Sequence, residues 1–172
     1  MIQGTHGTYK SYKNKILTYG FRKPYKPGQY GTAIYFWRDN TYEYELAVAW
    51  LRQKADKRRI PVDKLGVVFF ADFDFNVDGD EFIDLDYDVT SQFEKFSIER
   101  KIPLQSAYDL YLEDIEKKTG VPIVALQGIC NPPGKKYFNG LNVKESNFAY
   151  TVIIKDPKCI KIVKSKTREF TI

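Results

Sequence analysis

Histidine occurs once in this chain and cysteine twice, and the first 38 residues contain no acidic side chain. Two cysteines, Cys130 and Cys159, are too few for a disulfide framework, and their apolar surroundings mark them as buried structural thiols. No apolar run approaches the roughly 18 residues of a membrane span. The N-terminus lacks the apolar core of a secretory signal, so a cytoplasmic location is expected, with no membrane partner. Disorder is excluded by what is abundant: 43% of the residues are hydrophobic and 16% aromatic. A chain of 172 residues with this composition is read as one domain, residues 1–172, with a real core.

The net charge of +5 is unevenly distributed. Lys10, Lys13, Lys15, Arg22, Lys23, Lys26 and Arg38 stand in the acid-free N-terminal stretch, and Lys155, Lys158, Lys161, Lys164, Lys166 and Arg168 crowd the C-terminal one. Residues 72–88 hold eight carboxylates and no base. A basic face gathering both chain ends would attract a polyanion, whether a dinucleotide, RNA or DNA.

Hydrophobic spacing gives an α+β pattern, with strands at both ends, helices between them and mostly antiparallel pairing. "KSYKNKILTYGF" predicts a short helix with Ser11 as N-cap, Ile16 and Leu17 on its apolar side, and Gly20 as its left-handed stop. "TAIYFW" predicts a buried strand. "NTYEYELAVAWLRQKADKRR" predicts a helix capped by Asn40 or Thr41, with Leu46, Ala49 and Trp50 facing inward, joined by Tyr42. "LGVVFFADFDF" and "EFIDLDYD" alternate apolar and acidic residues around Val77-Asp78-Gly79-Asp80, which reads as a β-hairpin. Two amphipathic helices follow, the second stopping at Gly120. "VPIVALQG" and "AYTVIIKDPKCIKIV" are the final strands, the latter bent or placed at an edge by Pro157. Asp74, Asn76, Asp78 and Gly79 imitate a calcium loop, but the twelfth position is Leu85 where a bidentate Glu is needed, so no metal is expected.

His6 stands in "GTHGT", a place with little intrinsic reason for an imidazole. Gly20 follows 14 residues later in "GFR", and Gly31 follows after a further 11, opening "GTAIYFW". This combination resembles the NAD-binding half of the diphtheria-toxin-like ADP-ribosyltransferases, which include the poly(ADP-ribose) polymerases. The resemblance covers roughly the first 50 and last 25 residues. It implies a split, mostly antiparallel β-sheet core with flanking helices, and NAD as substrate.

Carried over residue by residue, the resemblance implies that His6 bonds the adenosine ribose. Gly7 would offer backbone groups to the nicotinamide amide, with Thr8 supporting the turn. Gly4 and Gly7, being small, would admit a ligand close to the backbone. Gly20 and Arg22 would serve the adenine and pyrophosphate end. Tyr35 would stack on nicotinamide, and either Tyr42 or Tyr44 would close the other side of the ring. Aligning "TVIIKDP" puts Thr151 where polymerising members have Glu, which argues for transfer of a single ADP-ribose. Glu145, six residues upstream, is the alternative third catalytic position, and Gln127 a weaker one.

Such transfer breaks the nicotinamide–ribose bond through an oxocarbenium-like state, so the protein must hold the dinucleotide bent and stabilise positive charge on the ribose. Three functions stay open. One is a mono-ADP-ribosyltransferase acting on a macromolecule, nucleic acid favoured over protein, as a bacterial or phage-conflict toxin with a neutralising partner protein. The second is a relative of the NAD-dependent RNA 2′-phosphotransferases, and the third a catalytically silent module binding NAD or RNA. On the first reading, His6→Ala abolishes NAD binding or transfer and barely changes the melting temperature.

Overall fold

In a computed structural model, which describes residues 2–38, 41–57, 63–138 and 149–172, the chain is a mixed α+β protein built on one open sheet. Among the described residues there are eight strands and four α-helices. The strands are β1 (Ile2–Tyr9), β2 (Ile34–Arg38), β3 (Leu65–Phe73), β4 (Phe82–Asp84), β5 (Ala125–Cys130), β6 (Ala149–Ile154), β7 (Ile160–Ile162) and β8 (Arg168–Thr171). The helices are α1 (Lys13–Tyr19), α2 (Glu43–Asp56), α3 (Tyr87–Arg100) and α4 (Leu104–Thr119). The sheet runs β4-β5-β6-β2-β1-β3-β7, with β8 also on β3, and only β4 and β5 pair in parallel.

Alternation along the central strands divides the interior into two layers. Phe36, Phe69, Phe73, Val152 and Ile154 face one side, where Ile16 and Leu17 of α1 pack. Trp37, Val68, Leu126 and Ile153 face the other, where α2, α3 and α4 supply Leu46, Phe93, Tyr108 and Leu112. Strands buried on both faces read as continuous apolar runs, which is why "VVFF" and "TVII" look as they do. The α3 helix starts where the Asp86 carboxylate accepts the Val89 amide at 2.8 Å, and α4 stops at Gly120, whose φ of 73° any side chain would strain. No helix among the described residues is long and apolar enough to cross a membrane.

The predicted hairpin does not form. Strand β3 is already paired on both edges, with β1 along its length on one side and with β7 and β8 on the other, so no edge remains for β4. The acidic turn closes on itself instead: Asn76 Oδ1 accepts the Asp78 amide at 3.2 Å and Glu81 accepts the Asn76 amide at 3.1 Å. The chain then passes to the opposite end of the sheet, where β4 joins β5. Pro157 likewise marks a crossing, because β6 lies on β2 while β7, after a single helical turn at Pro157–Cys159, lies on β3.

Two caps also differ. The α1 N-cap is Tyr12, and Ser11 instead donates its amide to Asp63 at 3.0 Å. The α2 N-cap is Tyr42, while Asn40 lies outside the described residues. Both cysteines are buried and unpaired.

Gly7 lies in the wall of a cavity described below and has α2 packed against its Cα. A Cβ placed on it would stand 2.3 Å from the Ala47 carbonyl oxygen, and one on Gly4 would stand 2.9 Å from Phe36 Cβ. These glycines let α2 and β2 close onto β1. Thr5, fully buried between them, donates its hydroxyl to the Glu43 carbonyl at 2.5 Å and fixes the start of α2 against the same strand. Gly7→Ala is therefore expected to cost about 2 kcal/mol or more by overpacking against rigid backbone, measured as a lowered denaturation midpoint; an unchanged midpoint would refute the close approach.

Candidate functional site

Among the described residues, strands β1 and β2 pair at one position, Thr5 with Trp37. Beyond it they part, and a cavity of about 710 Å³ occupies the gap. Its size falls in the range of small-molecule and cofactor sites. The parting brings together side chains that an unbroken sheet would hold on opposite faces. His6 belongs to the layer of Phe21 and Phe36, its ring centroid 5.1 and 5.4 Å from theirs. Tyr35 and Trp37 belong to the other layer. Thr151, opposite Trp37 on β6, sits with them. All of these line the one cavity.

His6 Nδ1 donates to the Tyr35 carbonyl at 2.8 Å, so a side chain bridges the two strands where the backbone ladder has ended. That bond places the proton of neutral imidazole on Nδ1 and leaves Nε2 as an acceptor. The ring is half-buried among aromatics. Burial lowers its pKa to about 4, with the Tyr35 carbonyl opposing the shift and the Lys54 charge adding to it. At neutral pH His6 is thus an uncharged hydroxyl acceptor.

Tyr35 is fixed by its hydroxyl, which accepts the Tyr30 amide at 2.9 Å and donates to the Gly31 carbonyl at 2.8 Å. Burial pushes that phenol upward, keeping it protonated. Its ring lies under Gly28, where a Cβ would come within 2.7 Å, so the turn before β2 is clamped onto it. Asp109 of α4 holds the same turn by accepting the Thr32 amide at 2.9 Å on each carboxylate oxygen, and it pairs with Lys155. Burial raises the Asp109 carboxyl, but these donors outweigh it and hold it below the usual range.

Gly20, with φ of 75°, turns the chain so that Phe21 enters the core beside His6 while Arg22 remains in solvent at the cavity's mouth. Arg22 lies 6.0 Å from the Tyr19 ring. Thr8, Lys15, Lys26 and Lys54 also line the cavity, and among the described residues its walls include no carboxylate. Thr151 is buried, and among the described residues its Oγ1 meets no oxygen or nitrogen partner. The Cys130 thiol lies alongside; burial pushes that thiol upward, and the Thr151 hydroxyl opposes the shift.

Tyr42 and Tyr44 do not line the cavity. Tyr44 stacks on Phe70 at 6.3 Å beneath Arg168, on the far side of β1 from β2. The second large aromatic wall is Trp50 of α2, 41% exposed and 6.0 Å from Trp37, and not the inward-facing core residue its helical spacing predicts. A tryptophan beside basic positions on that helix was the available signal. Gln127 accepts from the Arg38 guanidinium and is not in the lining; Glu145 lies outside the described residues. No group of three His, Cys, Asp or Glu among the described residues could hold a metal ion, and Asp74 of the calcium-like turn pairs with Lys161 at 2.7 Å.

Neither a family model nor a curated protein matches the chain.

The packing of His6 revises what its removal does: His6→Ala would empty a space between Phe21 and Phe36 and leave the Tyr35 carbonyl without its donor, so a loss of stability is expected together with any loss of binding. The single imidazole resonance should titrate near pH 4 in the folded protein. An unfolded histidine takes up its proton near 6.5, so stability falls as pH drops from there to about 4, by at most ~3 kcal/mol, and His6 adds nothing further below. His6→Asn should remove this component from the pH profile of denaturation. A native midpoint near 6.5 would contradict the buried, neutral assignment.

Proposed function

We propose that the chain is a mono-ADP-ribosyltransferase that binds NAD in the β1–β2 cavity and transfers one ADP-ribose to a nucleic-acid acceptor. The observation that carries this reading is the meeting of His6, Tyr35 and Thr151, from three strands, around one cavity whose charged side chains are all basic. Nε2 of His6 accepts a ribose hydroxyl, Tyr35 offers its ring to nicotinamide, and Arg22, Lys15, Lys26 and Lys54 offset the pyrophosphate charge. Trp50 takes the part of the second aromatic wall.

In the reaction the bond between ribose C1′ and the nicotinamide nitrogen breaks, nicotinamide leaves with the bonding pair, and an acceptor oxygen or nitrogen attacks C1′ and loses its proton to solvent. The oxocarbenium charge meets only the Thr151 hydroxyl among the described residues, which favours slow, single transfer over polymer formation. That same lack of a carboxylate supports a second reading, a module that binds NAD without turning it over.

Labelled NAD incubated with the protein and separate pools of protein, RNA and DNA decides between the two. Label in a nucleic-acid pool, with nicotinamide released and both lost in His6→Asn, is the expected result. NAD binding with neither label nor nicotinamide would establish the silent module, and no NAD binding at all would refute both.

A further inference from the structure

Tyrosines are usually buried at the ring, yet Tyr19 is 70% exposed and Tyr25 fully so, and Tyr12 is also on the surface. All three stand on α1, the single turn before it, or the loop after it; Tyr12 and Tyr19 line the cavity, and Tyr25 stands between Pro24 and Lys26, which do. Lys15, Arg22, Lys23 and Lys26 alternate with them in sequence, and the Arg22 guanidinium sits against the Tyr19 ring.

Three other bases already have carboxylate partners. Lys10 and Lys13 both reach Glu169, at 2.6 and 2.7 Å, and Lys161 reaches Asp74. Among the described residues no carboxylate pairs with Lys15, Arg22 or Lys26, which line the cavity, whereas Lys23 opens on a second depression lined by Asp109, Glu113, Glu116 and Asp156. The basic character expected of both chain ends is therefore partly neutralised along β8 and β7 and uncompensated at Lys15, Arg22 and Lys26.

We propose that this segment is a docking track for single-stranded nucleic acid, with unpaired bases stacking on Tyr19 and Tyr25 and the phosphate backbone following Lys15, Arg22 and Lys26 to the cavity. The proposal rests on the transferase reading in naming the strand as acceptor. Rings and bases argue for a single strand in particular. A duplex hides the faces of its bases, and an acidic peptide would use the lysines but leave the exposed rings idle, whereas stacking plus phosphate contacts is how single strands are held without sequence preference.

The test is fluorescence anisotropy with labelled oligothymidylate and oligouridylate of about 12 nucleotides, alongside a duplex of equal length and polyglutamate, using the full chain. Expected are binding of at least one single strand, at least tenfold weaker binding of duplex and polyglutamate, and roughly tenfold weakening by Tyr25→Ala with recovery in Tyr25→Phe. Lys26→Ala should flatten the salt dependence by about one unit of slope. Whether the thymidylate or the uridylate binds names DNA or RNA as the source. Failure of both single strands, equal binding of duplex or polyglutamate, or indifference to Tyr25→Ala would overturn the track. Binding needs no NAD, so the two readings fail separately: a bound strand that never acquires label sinks the transferase and leaves the track, while labelling without strand binding does the reverse.

Discussion

The His6–Tyr35 bond is the constraint on which the rest turns. Two antiparallel strands that meet at Thr5 and Trp37 would ordinarily go on pairing, and every residue further along would close the sheet. Here an imidazole supplies the donor that the Tyr35 carbonyl needs, so the strands can part without orphaning that acceptor. The same bond sets the tautomer of the imidazole. One interaction thus opens the cavity and prepares the group most central to it.

Around that opening the structure divides its labour between two faces. On one, Phe21 and Phe36 press against the imidazole and dry it. On the other, α2 lies so close to β1 that only glycine fits beneath Ala47, which holds Trp50 and Lys54 over the gap. The turn at Gly28–Thr32 is pinned from below by the Tyr35 hydroxyl and from the side by Asp109, giving the floor of the cavity a second source of rigidity. Binding groups held by such supports lose less freedom when a ligand arrives.

Much of this was legible in the sequence and some of it was not. The α+β class, the helices before Gly120 and after "NTY", and the strands "TAIYFW" and "VALQG" follow from apolar spacing and stop signals that act within a few residues. The hairpin at Val77–Asp80 failed because its turn chemistry is local, whereas the pairing of β3 depends on three strands distant in the chain. His6, Tyr35 and Thr151 were picked out by their motifs and share a cavity that Gly7 also lines, whereas the approach of the α2 backbone to Gly7 depends on a contact distant in the chain. Tyr42 and Tyr44 were named through the resemblance, by their distance in sequence from Tyr35, and neither lines the cavity; spacing along a helix says which residues share a face and not which wall of a cleft that face meets. Trp50 was sent to the core for the same reason.

The path of the chain across the sheet has a further consequence. β1, β3, β7 and β8 form one side of the split and β4, β5, β6 and β2 the other, and the chain changes side after β1, after β2, after β3 and after β6. Neither side is a continuous piece of sequence, so neither is able to fold ahead of the other as an independent unit. Distant pairing of this kind makes folding slow, because the entropy of closing long loops is lost before the contacts that offset it form. It also ties the two walls of the cavity to one cooperative event: the cleft divides the sheet in space, but the chain stitches it together in time.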